Sequence, residues 1–225
     1  MLVPASVPLL IVQLLIFISS TSAVSLSPKR SKTVEYQRAV LPVDSALIKE
    51  ESAQMLLSSL LVGSVPVPSF VSDQNVPSSF ARFEAQSITS DVSTGRVASI
   101  AAGDESKTKG TPIVMLHGFD SSAIEYRRLA PLLTQQRDVY IPDILGWGFS
   151  DHTDVKSFTP AAKMAHLKSF ITEIVGEPCI IVGASLGGAI AILLATESPE
   201  LVEKVVLIDA QVLIAFYVIL GDFVL

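Results

Sequence analysis

Ten residues constrain this chain more than any others: Ile180-Ile181-Val182-Gly183-Ala184-Ser185-Leu186-Gly187-Gly188-Ala189. An apolar, β-branched run enters a Gly-x-Ser-x-Gly turn, and a run of small residues leaves it. That is the composition of a buried strand followed by a helix. A serine on so sharp a strand-to-helix turn projects its hydroxyl outward from a strained backbone position. Gly183 and Gly187 are needed because a Cβ two residues to either side of the serine would collide across the turn. Five letters of this kind also arise by chance, so the rest of the chain must supply the context.

Length and composition set the outer bounds. The 225 residues, 49% hydrophobic and 17% charged, fit one globular domain plus a leader, with ample material for a core. A net charge of −6 without a basic stripe argues against a nucleic-acid partner. The single cysteine, Cys179, excludes an internal disulfide and reads as a small core residue at the start of the strand before the turn. His117, His152 and His166 lie in separate segments without ligand spacing, so neither a metal nor another cofactor is expected.

Residues 7–18 form an apolar run broken by Gln13, too short to span a bilayer comfortably and suited to a signal-peptide core. Thr21-Ser22-Ala23 offers small residues at a cleavage point. Against secretion, no Lys or Arg precedes the run and no Asn-x-Ser/Thr acceptor occurs. A Ser/Thr-rich leader with Lys29, Arg30, Lys32 and Arg38 near its end, and no acidic residue before Glu35, also fits a transit peptide. A targeting segment over residues 1–23 is therefore expected, for the plastid or the secretory pathway, with membrane contact through residues 7–18 if it is uncleaved. Residues 24–78 read as a poorly structured linker. Within them, Leu47, Met55, Leu56 and Leu60 give Ser45 to Leu61 the spacing of a short helix, and Pro66, Pro68 and Pro77 mark extended chain.

The folded domain is expected from residue 79. Phe80–Ala85 and Arg96–Ala101, around the turn residues Asp91–Gly95, predict an antiparallel hairpin. Pro112–Leu116 predicts a strand buried on both faces, ending at His117-Gly118. Ser121–Gln135 is helical in part, with Pro131 disturbing its last turn, and Asp138–Pro142 is the next strand. A Gly-rich loop, Asp143–Asp151, carries Trp147. Thr159 caps a helix with Pro160 at its first position, and Gly176 closes it. Leu186–Ala195 is apolar almost all round and should lie deep; Val205–Asp209 is one more strand. Strands alternating with helices predict a doubly wound, mainly parallel sheet.

With His117-Gly118-Phe119, Pro142-Asp143-Ile144-Leu145-Gly146-Trp147-Gly148-Phe149-Ser150, the Gly183–Gly187 turn and Val205–Asp209 in this order, the chain resembles the α/β-hydrolases. It is most similar to their plant chloroplast and cyanobacterial members. The resemblance covers about residues 80–211. It implies an α/β fold, with residues 79–211 as the N-terminal part of the domain, lacking the lid and last strands. It also implies a serine hydrolase acting on an ester or related acyl bond of a small apolar substrate, without a cofactor. Ser185 would be the nucleophile, and the backbone N–H groups of Phe119 and Leu186 the oxyanion hole. His117 would order the oxyanion loop, Asp143 would hold its own loop, and Trp147 and Phe119 would wall an apolar pocket.

The family's triad runs Ser, then acid, then His, and no histidine follows His166. Asp209 is a possible acid. A family member would continue for roughly another hundred residues. The apolar run of residues 212–225 has neither helical period nor turn chemistry, and reads as a tail foreign to the family. The expectation is a truncated chain, inactive by itself. The alternatives are a non-catalytic binding protein on the same fold, or a non-functional isoform.

Overall fold

The computed structural model describes residues 37–39, 48–84, 110–134, 137–150 and 152–212. In chain order they form β1 (Gln37–Arg38), α1 (Glu51–Ser58), β2 (Leu60–Val65), β3 (Val76–Phe83) and β4 (Ile113–Leu116). A 3-10 turn (Ala123–Tyr126), α2 (Ala130–Leu133), β5 (Val139–Pro142) and α3 (Pro160–Phe170) follow. β6 (Cys179–Ala184), α4 (Leu186–Glu197) and β7 (Val202–Ile208) complete the series.

The strands make one mixed sheet, ordered β1-β2-β3-β5-β4-β6-β7. Neighbours among β5, β4, β6 and β7 run parallel, while β1, β2, β3 and β5 pair antiparallel in turn. This is the α/β architecture expected from the alternating pattern. β4, β5 and β6 are apolar throughout because helices cover both faces, whereas the edge strand β7 carries Glu203 and Lys204 exposed. On β4, Val114 and Leu116 pack with α3 and α4, while Ile113 and Met115 pack with α1 and the 3-10 turn. The two-residue period of the strand thus sorts one apolar run into two cores.

α3 starts as its sequence dictates: the Thr159 hydroxyl accepts from Ala162 N at 3.3 Å, and Pro160 occupies the first helical position. Its end widens into a π turn at Ile171–Val175, closed by Gly176 at φ 79°. α4 is buried along most of its length, as its all-apolar composition demands. Cys179 is buried, and its thiol, pushed up by that burial, reaches the Leu201 carbonyl at 3.6 Å.

Four expectations change. The stretch read as a linker instead supplies α1 and β2, and β2 pairs with β3 from Leu60↔Ala81 to Val65↔Val76. Gly63 and Ser64 hide the strand in the sequence, yet Leu60 and Val65 are fully enclosed. Pro77 is tolerated in β3 because it faces Ser64 and lies outside the stretch, Phe80 to Phe83, that pairs with β5. The N-terminal hairpin is therefore β2–β3; Arg96–Ala101 lies outside the described residues. Helix α1 buries Ala53, Leu56 and Leu57, leaving Met55 exposed and Leu60 in the strand. The segment after His117 breaks into a 3-10 turn and a single helical turn, with Leu132 exposed. No helix among the described residues is long and apolar enough to cross a membrane; residues 7–18 and 213–225 lie outside them.

Candidate active site

β6 ends at Ala184 and α4 begins at Leu186, so Ser185 alone turns the chain. It does so at φ 49° and ψ −113°, a conformation that costs an L-residue about 1–3 kcal/mol. Backbone bonds hold it there. Ser185 N donates to Ile208 O at 3.0 Å, and its carbonyl accepts from Gly188 N at 3.1 Å and Gln211 N at 3.0 Å. The flanking glycines have no room for a side chain. A Cβ on Gly183 would lie 2.3 Å from Gly187 O, and one on Gly187 would lie 2.1 Å from Leu116 O. The helix start is thus pressed onto the end of β4, which brings the next loop alongside the serine.

That loop is His117-Gly118-Phe119. The Cβ position of Gly118 is 3.5 Å from Ser185 Cβ and 3.6 Å from Glu125 Oε2. Gly118 N donates to Glu125 Oε2 at 2.9 Å, and the Tyr126 hydroxyl donates to Leu116 O at 2.8 Å. Two consecutive residues of the 3-10 turn therefore bolt it to the loop. His117 is fully buried. Its Nε2 accepts from Ile144 N at 2.9 Å, so the proton sits on Nδ1, which donates to Gly118 O at 2.8 Å. Burial lowers its tendency to protonate, against the pull of the Gly118 carbonyl and the Asp143 charge. With both nitrogens engaged in backbone bonds, His117 orders the loop.

Leu186 opens α4, and its N–H is among the donors that a helix leaves unpaired within itself. The positive end of the helix dipole lies at the same place. Phe119 is 71% exposed and meets the Trp147 ring edge-on at 5.3 Å. Asp143, almost fully buried, gathers three segments: it accepts from the Ser79 hydroxyl of β3, from Ala123 N at 2.7 Å and from Phe149 N at 2.9 Å. Gly148, at φ 73°, lets the loop wrap this carboxylate, since a Cβ there would come within 2.1 Å of Asp143 Cγ.

The remaining candidates disperse. Asp209 sits at φ 46° just past β7, between Ile208 and Gln211, both of which bond the Ser185 backbone. His166 is buried on α3, and that burial holds it down to about 4. His152 packs its ring on Phe158 at 5.8 Å.

A profile of the Alpha/beta hydrolase family matches residues 113–224. The chain belongs to the α/β-hydrolases. The match runs on through residues 212–224, the run read above as foreign to the family, which lies outside the described residues apart from Val212. Among relatives of this α/β-hydrolase, the Arabidopsis thaliana alpha/beta hydrolase domain-containing protein VTE7 is 43% identical over 102 residues, 45% of this chain and 31% of that one. The mouse sn-1-specific diacylglycerol lipase ABHD11 is 34% identical over 99 residues, 43% of this chain and 32% of that one. The chain spans about a third of the length of these relatives. Among solved structures, a putative lipase from Acinetobacter baumannii superposes with a TM-score of 0.54 at 20% identity, covering 76% of this chain and 48% of that one. A thermophilic esterase from Thermogutta terrifontis gives 0.51 at 16%, covering 67% and 46%. These two likenesses show a shared fold.

Three supporting groups of this α/β-hydrolase escaped sequence reasoning. Ser79 and Ser150 share a 2.9 Å contact beside Asp143, Glu125 holds Gly118, and Lys163 lies over Trp147 at 4.0 Å from the ring centroid. Ser79 stands at the first residue of the stretch read as the domain, where nothing local marks a partner for Asp143. Glu125 and Lys163 gave no local signal, since each acts on a loop from a separate segment.

Proposed function

We propose that this chain carries the nucleophile and oxyanion half of a serine hydrolase acting on an ester or related acyl bond of a small apolar substrate. One observation carries the reading: Ser185 is held at positive φ on a strand-to-helix turn whose glycines admit no side chain, against the loop that contains Gly118 and Phe119. In this reading Ser185 Oγ attacks the substrate carbonyl carbon and gives up its proton to a base. The alkoxide then leaves protonated, and the acyl group stays on the serine until water removes it. The N–H groups of Leu186 and Phe119 receive the oxyanion, supported by the dipole of α4. Trp147 and Phe119 wall the pocket, a use consistent with the lipase name of the mouse relative.

His117 is committed to Ile144 and Gly118, so the reading does not use it as the base, and it takes Asp209 as a possible acid. Lacking a base, a serine hydroxyl is a weak nucleophile at neutral pH, and little turnover is expected from the chain alone. The N-terminal segment is assigned to targeting, for the plastid or the secretory pathway.

A fluorophosphonate probe tests this. Labelling of the wild type and none of Ser185→Ala supports a nucleophile that works in this chain. Equal labelling of both sinks the assignment. No labelling of a folded wild type supports the reading of a chain without its base, or a non-catalytic binding role.

A further inference from the structure

Lys163 is oddly placed for a cation. It stands in the first turn of α3, where the helix dipole disfavours positive charge, and it is only partly exposed. Among the described residues no carboxylate lies within ion-pair distance of its ammonium. Instead Nζ donates to Leu145 O and sits 4.0 Å from the centroid of the Trp147 ring and 5.9 Å from that of Phe158. The side chain passes over Gly146, whose Cβ position is 3.2 Å from Nζ and 2.9 Å from Phe158, at φ 95°. The Trp147 ring also meets Phe119 at 5.3 Å and His117 at 6.1 Å.

We propose that Lys163 is the positioning residue for the pocket wall: its ammonium, bound to Leu145 O and stacked on Trp147, fixes the indole against Phe119. The inference rests on the reading of Trp147 and Phe119 as walls of an acyl pocket beside Ser185. A cation–ring contact removed from water is strong enough to set an indole's orientation, and a carbonyl bond to the same ammonium ties it to the loop that carries the indole. The wall is therefore held by charge as well as by packing. Burial lowers the ammonium to about 8, so the hold weakens in mild alkali. The ionisable groups around it are His166 on its own helix, His117 on the loop after β4, Asp143 on the loop after β5, and His152 beyond His166.

Trp147 is the only tryptophan in the chain, so intrinsic emission reports on this contact directly. In the wild type, emission is expected to titrate with a midpoint near 8. Lys163→Met should abolish that titration and shift the emission at neutral pH. Lys163→Arg, which stays charged, should restore the neutral-pH emission without the titration. In parallel, labelling of Ser185 is measured with short- and long-chain alkyl fluorophosphonates. Lys163→Met should lower the long-to-short rate ratio about threefold to tenfold, with rescue by Lys163→Arg. Thermal melts of all three proteins separate loss of the contact from loss of the fold.

If the wild type labels at Ser185 but neither emission nor chain-length preference responds to Lys163→Met, the inference falls alone. If emission responds but the ratio of long- to short-chain labelling does not, the pocket reading falls, and the positioning role falls with it.

Discussion

The Ile144 amide donates to Nε2 of His117 at 2.9 Å, and this bond joins the loop after β4 to the loop after β5. It decides what a histidine beside a candidate nucleophile does here. An imidazole whose Nε2 lone pair already accepts from a backbone amide has no free lone pair to take a proton from Ser185.

Replacing His117 by Phe leaves the buried Ile144 N–H without its acceptor. Unfolding free energy should drop by about 2 kcal/mol, read from urea denaturation. A variant of unchanged stability that has lost all fluorophosphonate labelling would instead reinstate His117 as a base.

Ser185 pays in backbone strain for its position, so a residue free of that strain should stabilise the chain. Ser185→Gly is expected to raise unfolding free energy by about 1 kcal/mol relative to Ser185→Ala, which keeps the strained φ. Equal stability of the two variants would show that the turn is relaxed.

Asp143 accepts from Ser79, Ala123 and Phe149 at once. Asp143→Asn presents an amide to at least one of those donors and should cost about 2–4 kcal/mol. Gly148→Ala forces a Cβ into the same carboxylate and should disturb the same loop, with a change in Trp147 emission. A melt and an emission spectrum like those of the wild type would count against the network.

Burial holds His166 at about 4 in the folded state, against an ordinary 6.5. Between those values the unfolded chain binds a proton that the folded one refuses, so stability falls as pH drops from 6.5 to about 4. The loss amounts to up to about 3 kcal/mol. His166→Leu should remove that part of the acid sensitivity and leave neutral-pH stability near the wild-type value. The difference between the two proteins' denaturation curves across this pH range is the measurement; parallel curves would contradict the assignment.

Much of the fold was legible because its signals are local. The all-apolar runs Ile113–Leu116 and Cys179–Val182 could only be strands covered on both faces. Thr159-Pro160 and Gly176 announced the ends of one helical segment by capping chemistry alone. Leu60–Val65 was not legible, because its strand state comes from pairing with β3 and is contradicted locally by Gly63, Ser64 and Pro66.

The candidate site divides in the same way. The turn at Ser185 followed from the sequence by itself, and Gly183 answers a steric demand made within five residues, whereas Gly187 answers one made by Leu116 at the end of β4. Tertiary structure decided the company the serine keeps. His117 became a clamp because Ile144 arrives from another loop, and Gly118 was fixed because the 3-10 turn folds Glu125 back onto it. Trp147 acquired a cation because α3 passes beneath it. The crowding at Gly183 acts between near neighbours in the chain, whereas the crowding at Gly187, the hydrogen bonds and the charges act between whatever the sheet brings together.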